Sequence, residues 1–361
     1  MEEIKIGGKP VGKNNPVFII AEAGVNHNGD VGLAKKLVAA AKDAGADAVK
    51  FQTWITEEVM MKNVEKPSYQ KETTGDEETQ FDMVKKLELT DDETREVAAY
   101  AKEIGITFLS TPEGKHCVDL LEDIGAPAFK VGSGDLDNYP HLKYVAGKNK
   151  PIILSTGMAT MEDVEDSVNF LRACGNNQII LLHCTTSYPA KLSEVNLNSM
   201  LAMEKFGLPV GYSDHTEEIT VPVFAVSVGA CVIEKHFTLD RNFPGPDHKA
   251  SLEPNELKEM VYRIKNFEPG SFEIDEKERK MIMGSSNKCP TVSEKELEHL
   301  VKKYVVAGVD IKEGSVITEN MLAVKRTGGA GLSPRKFFDI VDRKAAQKIK
   351  RNEPIEWGMI E

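Results

Sequence analysis

Between residue 17 and about residue 267 the chain alternates short apolar runs with stretches in which apolar positions recur every three to four residues. The runs are VFIIAEAG (17–24), ADAVKFQ (46–52), ITFLST (106–111), APAFKVGS (126–133), PIILSTG (151–157), QIILLHCT (178–185), LPVGYSDH (208–215) and CVIEKHF (231–237). Most are continuous and β-branched, as expected of parallel strands buried on both faces. Between them, Leu33, Leu37, Val38, Ala41 and Ala44 follow helical spacing, with Gly45 where a C-cap belongs. Leu257, Met260, Val261, Ile264 and Phe267 form one apolar stripe at the end of the series. Eight strand–helix units predict a (β/α)8 barrel. An open doubly wound sheet is the competitor, but the sequence offers no switch point for one.

The pattern then changes twice. Residues 268–297 are polar, charged and poor in periodicity, and predict a linker with at most a short helix. From Tyr304, KYVVAGVDIKEGSVITENMLAVKR has short strand-like runs between turn signals. The expected division is a barrel over 1–275, a linker over 276–300 and a small strand-rich domain over 301–361. A unit of this size is marginal on its own core and is expected to lean on another surface.

Composition narrows the class. The 361 residues are 41% apolar and 28% charged, and 45 basic against 57 acidic side chains give a net charge of −12. A general nucleic-acid binder would carry a basic stripe, and an anionic membrane surface is excluded on the same ground. No run of about 20 apolar residues predicts a membrane span. The first residues lack a basic-then-apolar leader. Five scattered cysteines without a CxxC pair fit reduced thiols in the cytoplasm.

A (β/α)8 barrel builds its active site at the C-terminal ends of its strands, and there every apolar run delivers polar groups. Lys50 and Lys130 lie inside otherwise apolar strands, where an ammonium must be paired. They predict an anion site with Thr111, Ser133, Ser155 and Ser213. A structural pair with Glu22 or Glu234, or a Schiff-base lysine, are the alternatives. His215 and His236 end consecutive strands, about 4.8 Å apart in a parallel sheet, and could share a divalent ion of the Mn, Fe, Co or Zn kind rather than Mg. Glu22 is a candidate for water orientation or acid–base work, or else a counter-ion. His183 is expected to be structural. Asp247, in the loop FPGPDHKAS, is either a ligand for substrate hydroxyls or a solvated charge.

These residues stand in segments that resemble the sialic acid synthases: FIIAEAGVNHNGD, AGADAVKFQT, QFDMVKKLEL, FLSTPEG, KVGSGDL, PIILSTGMAT, LLHCTTSYPA, VGYSDHT, GACVIEKHFTLD and GPDHKAS, in order along the barrel. The tail resembles the antifreeze-like (SAF) domain of those enzymes. The resemblance implies a metal-assisted condensation of phosphoenolpyruvate with an N-acyl mannosamine, N-acetylmannosamine first, giving a nine-carbon sialic acid and phosphate. It implies phosphoenolpyruvate on Lys50, Thr111, Lys130, Ser133, Ser155 and Ser213. A divalent metal would sit on His215 and His236 beside Glu22, Mn2+ first with Mg2+ or Co2+ as alternatives. The sugar would face Gln52, Asp135, Tyr188 and Asp247. It also implies a homodimer in which the small domain of one chain covers the other's barrel mouth and supplies an arginine, here Arg326. Three places depart from the family's pattern: the loop Arg326-Thr327-Gly328-Gly329-Ala330-Gly331-Leu332, Glu72-Thr73-Thr74, and Thr185-Thr186-Ser187. All lie where sugar substituents would be read. A legionaminate synthase acting on a 2,4-diacetamido sugar is therefore the runner-up, with a non-catalytic carbohydrate-binding or ice-binding protein the alternative from another class.

Overall fold

The computed structural model describes residues 4–268, 270 and 272–361. Eight parallel strands form the barrel: β3 (Phe18–Gly24), β4 (Ala48–Trp54), β5 (Thr107–Glu113), β6 (Phe129–Val131), β7 (Ile152–Ser155), β8 (Ile179–His183), β9 (Val210–Asp214) and β10 (Val232–His236). β3 and β10 pair in parallel, and β5 and β6 pack side by side to close the ring. Every residue of β3, β8, β9 and β10 is buried, which is why the sequence shows unbroken apolar runs rather than alternation.

Two strands precede the barrel and were not legible as such. β1 (Ile4–Ile6) and β2 (Lys9–Val11) make an antiparallel hairpin around Gly7 and Gly8. Ile4, Ile6 and Val11 pack against the inward-facing Ile20, Ala48, Leu109, Ala128, Ile153, Ile180, Leu182 and Val232, forming a core inside the barrel. Lys9 Nζ bonds Asp47 at 2.6 Å, and Asp47 also accepts from the Ile19 amide at 2.8 Å, tying the hairpin to the strand bottoms.

Strand side chains alternate with a period of two, so the residues two steps above that apolar layer must also face inward. They are Glu22, Lys50, Thr111, Lys130, Ser155 and Glu234. A polar layer thus sits directly on an apolar floor. Gly211 belongs to β9, and a Cβ there would lie 2.4 Å from the Val232 carbonyl oxygen, so only glycine fits this close approach.

The segment expected to be a linker is more ordered than its composition suggested. It carries two helices, Glu276–Met283 and Val292–Val301. A capping box between Thr291 and Glu294 starts the second, and Leu297 and Glu294 are buried. The apolar face is one or two residues wide, too narrow to register as periodicity.

In the C-terminal domain β11 (Tyr304–Ala307) and β12 (Leu322–Lys325) pair antiparallel around a core of Val305, Ala307, Ile311, Ile317, Phe337, Ile340 and Ile349. It leans on the barrel of its own chain. Arg326 exchanges backbone hydrogen bonds with Val59 (2.9 Å) and Met61 (3.0 Å), and Arg335 bonds Asp163 and Asp166 at 2.8 and 2.6 Å. Among the described residues no helix is long and apolar enough to cross a membrane.

Candidate active site

The barrel mouth opens into a cavity whose deep end is the polar layer. Lys50 Nζ lies 2.7 Å from Glu22 Oε2 and 3.6 Å from Glu234 Oε1, and donates to Thr111 Oγ1 at 3.2 Å. Lys130 donates to Ser155 Oγ at 2.7 Å and lies 3.6 Å from Glu234 Oε1. Ser213 donates to Glu234 at 3.2 Å, and Gln52 to Glu22 at 3.3 Å. The lysines are therefore paired with both glutamates and line the cavity at once. Two ammonium and two carboxyl groups would cancel if all were ionised. Burial, opposed by Lys50, raises Glu22 to about 7, so its neutral form is within reach and leaves the layer net positive. Burial pushes Glu234 the same way, but Lys130 and Lys50 overcome it and hold that carboxyl below its ordinary range. Lys130 is itself lowered by burial, with Glu234 pulling back.

Above this layer stand two imidazoles, their ring centres 5.5 Å apart. His215 Nδ1 donates to the Thr185 carbonyl at 2.6 Å, which leaves Nε2 with its lone pair free. His236 Nδ1 is buried without a hydrogen-bond partner. Burial lowers both pKa values, so both rings are neutral, the form that binds metal. A divalent cation fits this orphaned nitrogen and its neutral neighbour. Among the described residues no third His, Cys, Asp or Glu completes a metal cluster, so further ligands would come from substrate or solvent. Gly24, at φ +53, keeps the space open: a Cβ there would meet His236 and Glu22 at 3.4 Å.

Ser133, Asp135, Tyr188, Asp247 and Arg326 are brought to the same mouth, in different circumstances. Ser133 lies in the turn after β6, where its Oγ accepts from the Gly157 amide at 3.0 Å. Tyr188 packs against His215 with centroids 4.2 Å apart and the rings tilted by 32°. Asp247 is buried 4.0 Å from His236 Nδ1, and burial raises it to about 6. His183 is held by the Val195 carbonyl at 2.8 Å, outside the cavity lining. Asp135 lines the cavity while also accepting from Lys303 Nζ at 2.8 Å and Asn138 at 2.6 Å. Arg326 reaches the mouth of its own barrel and bonds Glu113 at 3.3 Å.

Besides the apolar lining, five polar or charged lining residues were not picked out from the sequence. Glu113 could have been, since it continues the inward alternation of Leu109 and Thr111. Lys303 bridges Glu113 and Asp135 at 3.0 and 2.8 Å, but sits in a charged run that reads as solvated. Tyr69, Gln70 and Gln80 belong to the long connection between β4 and β5, where no periodicity points inward. Gln80 Nε2 donates to Gln70 Oε1 and Gln70 Nε2 to the Tyr69 hydroxyl, both at 3.1 Å. Thr73 and Thr74 turn back onto carbonyls of their own helix instead.

The family model for NeuB proteins matches residues 37–271, and that for the SAF domain matches residues 302–361. The chain belongs to the NeuB family. This NeuB protein is 45% identical to the N,N'-diacetyllegionaminic acid synthase of Campylobacter jejuni over 94% of this chain and 98% of that one. It is 40% identical to the enzyme of the same name from Legionella pneumophila, over 99% and 98%. Among solved structures it is similar to the spore coat polysaccharide biosynthesis protein SpsE of Bacillus subtilis, with a TM-score of 0.85, 36% identity and 99% of each chain covered. The NeuB and SAF matches fall on the barrel and the small strand-rich domain described above.

Proposed function

We propose that this chain condenses phosphoenolpyruvate with an N-acyl mannosamine-type sugar and water, releasing phosphate and a nine-carbon sialic-type acid. The observation that carries the reading is the stacking of two layers in one cavity: buried Lys50 and Lys130 with their hydroxyls below, and neutral His215 and His236 above. Lys50 and Lys130 neutralise carboxylate and phosphate charge in a site walled from water, where each contact counts for more. Thr111, Ser133, Ser155 and Ser213 complete the cradle with oriented hydroxyls. A divalent cation on His215 and His236, for which we propose Mn2+, supplies Lewis acidity toward the sugar aldehyde when bound. The methylene carbon of phosphoenolpyruvate forms the new bond to the aldehyde carbon. The oxygen of water adds at the enol carbon, and the phosphate leaves with its bridging oxygen. Glu22, buried and near its midpoint at neutral pH, is placed to exchange a proton with that water through Oε1, the oxygen that Gln52 steadies. Gln52, Tyr188 and Asp247 face the sugar, with Arg326 above.

The second reading is a 2,4-diacetamido-6-deoxy sugar, giving a legionaminic acid. Two observations favour it: the names of the two relatives above, and an apolar wall of Trp54, Val59, Met60, Met83, Val84 and Leu87 along the cavity. Methyl groups suit such a wall better than the hydroxyls of N-acetylmannosamine. The test is phosphate release from phosphoenolpyruvate with Mn2+ and either sugar. No phosphate with either sugar would sink the synthase reading; release with the diacetamido sugar alone would decide for the second.

A further inference from the structure

Resting on that reading, we propose that Glu294, in the segment between the two domains, is a positioning residue for the phosphoenolpyruvate half of the site. Its side chain is only 3% exposed. One carboxylate oxygen, Oε1, accepts from the backbone amides of Met158 and Thr186, both at 2.8 Å, and Oε2 accepts from the Thr291 amide at 2.9 Å. Met158 follows β7 and Thr186 follows β8, so a single carboxylate clamps two loops of the mouth together from behind.

What the clamp holds is strained and tightly packed. Met158 is a non-glycine residue at φ +56, a conformation the surroundings must impose. Beside it, Gly157 donates to Ser133 Oγ, and a Cβ at Gly157 would lie 2.1 Å from Thr186 Oγ1 and 2.8 Å from Ser133 Oγ. The hydroxyls of Ser133 and Thr186 thus converge on the backbone that Glu294 fixes, and both line the cavity. The segment carrying Glu294 is itself anchored. Met161 N donates to the Lys288 carbonyl at 3.2 Å, Ser293 N to Glu194 at 3.2 Å, and Lys288 is buried. At the other end of the helix, the Val301 carbonyl oxygen lies where a Cβ on Gly134 would approach to 2.9 Å, so the helix end packs closely on the turn that carries Ser133. The helix therefore braces the loops after β6, β7 and β8 together, and a charged acceptor suits a site where three amides meet two oxygens.

The test compares Glu294→Ala and Glu294→Gln with Glu298→Ala, a control on the same helix whose carboxylate pairs with Lys302. In the alanine variant KM for phosphoenolpyruvate should rise at least tenfold, with kcat and the sugar KM within threefold. Phosphoenolpyruvate without sugar should raise the melting temperature less than it does for the unaltered chain. Glutamine keeps an acceptor for the two loop amides and should fall between, and the control should be unchanged. If the alanine variant does not fold, the glutamine variant carries the same comparison. An unchanged phosphoenolpyruvate KM and an unchanged ligand-induced shift in a folded variant would overturn the proposal alone. An unaltered chain that phosphoenolpyruvate does not stabilise, and that releases no phosphate, would overturn the reading beneath it.

Discussion

Replacing Lys303 by methionine removes a buried cation that joins the small domain to the barrel mouth. Lys303 is 3% exposed and lies 2.8 Å from Asp135 and 3.0 Å from Glu113, both buried. Burial alone would raise Asp135, but the charge of Lys303, with His141 and the Asn138 hydrogen bond, brings it from 3.8 down to about 2. That difference is on the order of 2–3 kcal/mol at neutral pH, at roughly 1.4 kcal/mol per pKa unit. Breaking a buried pair typically costs about 3–5 kcal/mol, because the abandoned carboxylate stays behind. Arg326 still serves Glu113, so a loss of about 3 kcal/mol is expected. Urea unfolding at pH 7 measures it, and the two tryptophans separate the domains: Trp54 reports the barrel and Trp357 the small domain. The sign with pH follows from the depressed carboxyl. Its stabilisation is complete above about pH 4 and fades as pH falls toward 2, so the gap between the two proteins narrows from pH 7 to pH 3. Lys303→Met with Asp135→Asn should recover part of the loss. A gap below about 1 kcal/mol at pH 7, or one that pH does not alter, would refute the reasoning.

His236→Ala should abolish phosphate release and its stimulation by Mn2+ while leaving the circular dichroism spectrum intact; full activity would remove this imidazole from the metal site. Glu22, lifted to about 7, loses its proton as pH rises through neutrality. If its carboxylate is the working form, kcat/KM climbs between about pH 6 and 8, and that limb disappears in Glu22→Gln. Gly211→Ala forces a methyl group into backbone 2.4 Å away and should destabilise the barrel by about 1–3 kcal/mol in thermal or urea unfolding. A variant as stable as the parent would show that β9 and β10 can part at no cost.

The barrel was legible because eight continuous apolar runs alternate with helical stripes, and its polar layer because charges interrupt those runs. Lys50, Lys130 and Glu234 stand where Val or Ile would otherwise continue the strand, and a charged group at such a position needs a reason. Alternatives the sequence left open, anion cradle or Lys–Glu pair, turn out to be joined in one network, since Glu22 sits on the strand beside Lys50 and Glu234 reaches both lysines across the barrel interior. What escaped was built by single residues. Glu294 and Lys303 lie in runs of other charges, and nothing in their neighbourhood separates a buried carboxylate or ammonium from a solvated one. Tyr69, Gln70 and Gln80 come from a connection whose path over the mouth is set by packing rather than by pattern. The β1–β2 hairpin has three residues per strand, too few for any period to emerge.

That hairpin makes the barrel a flask with a single neck. Ile4, Ile6 and Val11 stopper the lower end with an apolar plug, and the small domain stands over the upper one. On the proposed reaction, a product formed among the lysines would leave past His215, Tyr188 and Arg326, the way the sugar enters. Traffic through a one-ended vessel is sequential: the molecule held deepest enters before, and departs after, the one held above it. Under that reaction the order of arrivals and departures would be a property of the plumbing, set as much by three aliphatic side chains near the N-terminus as by the lysines and histidines of the mouth.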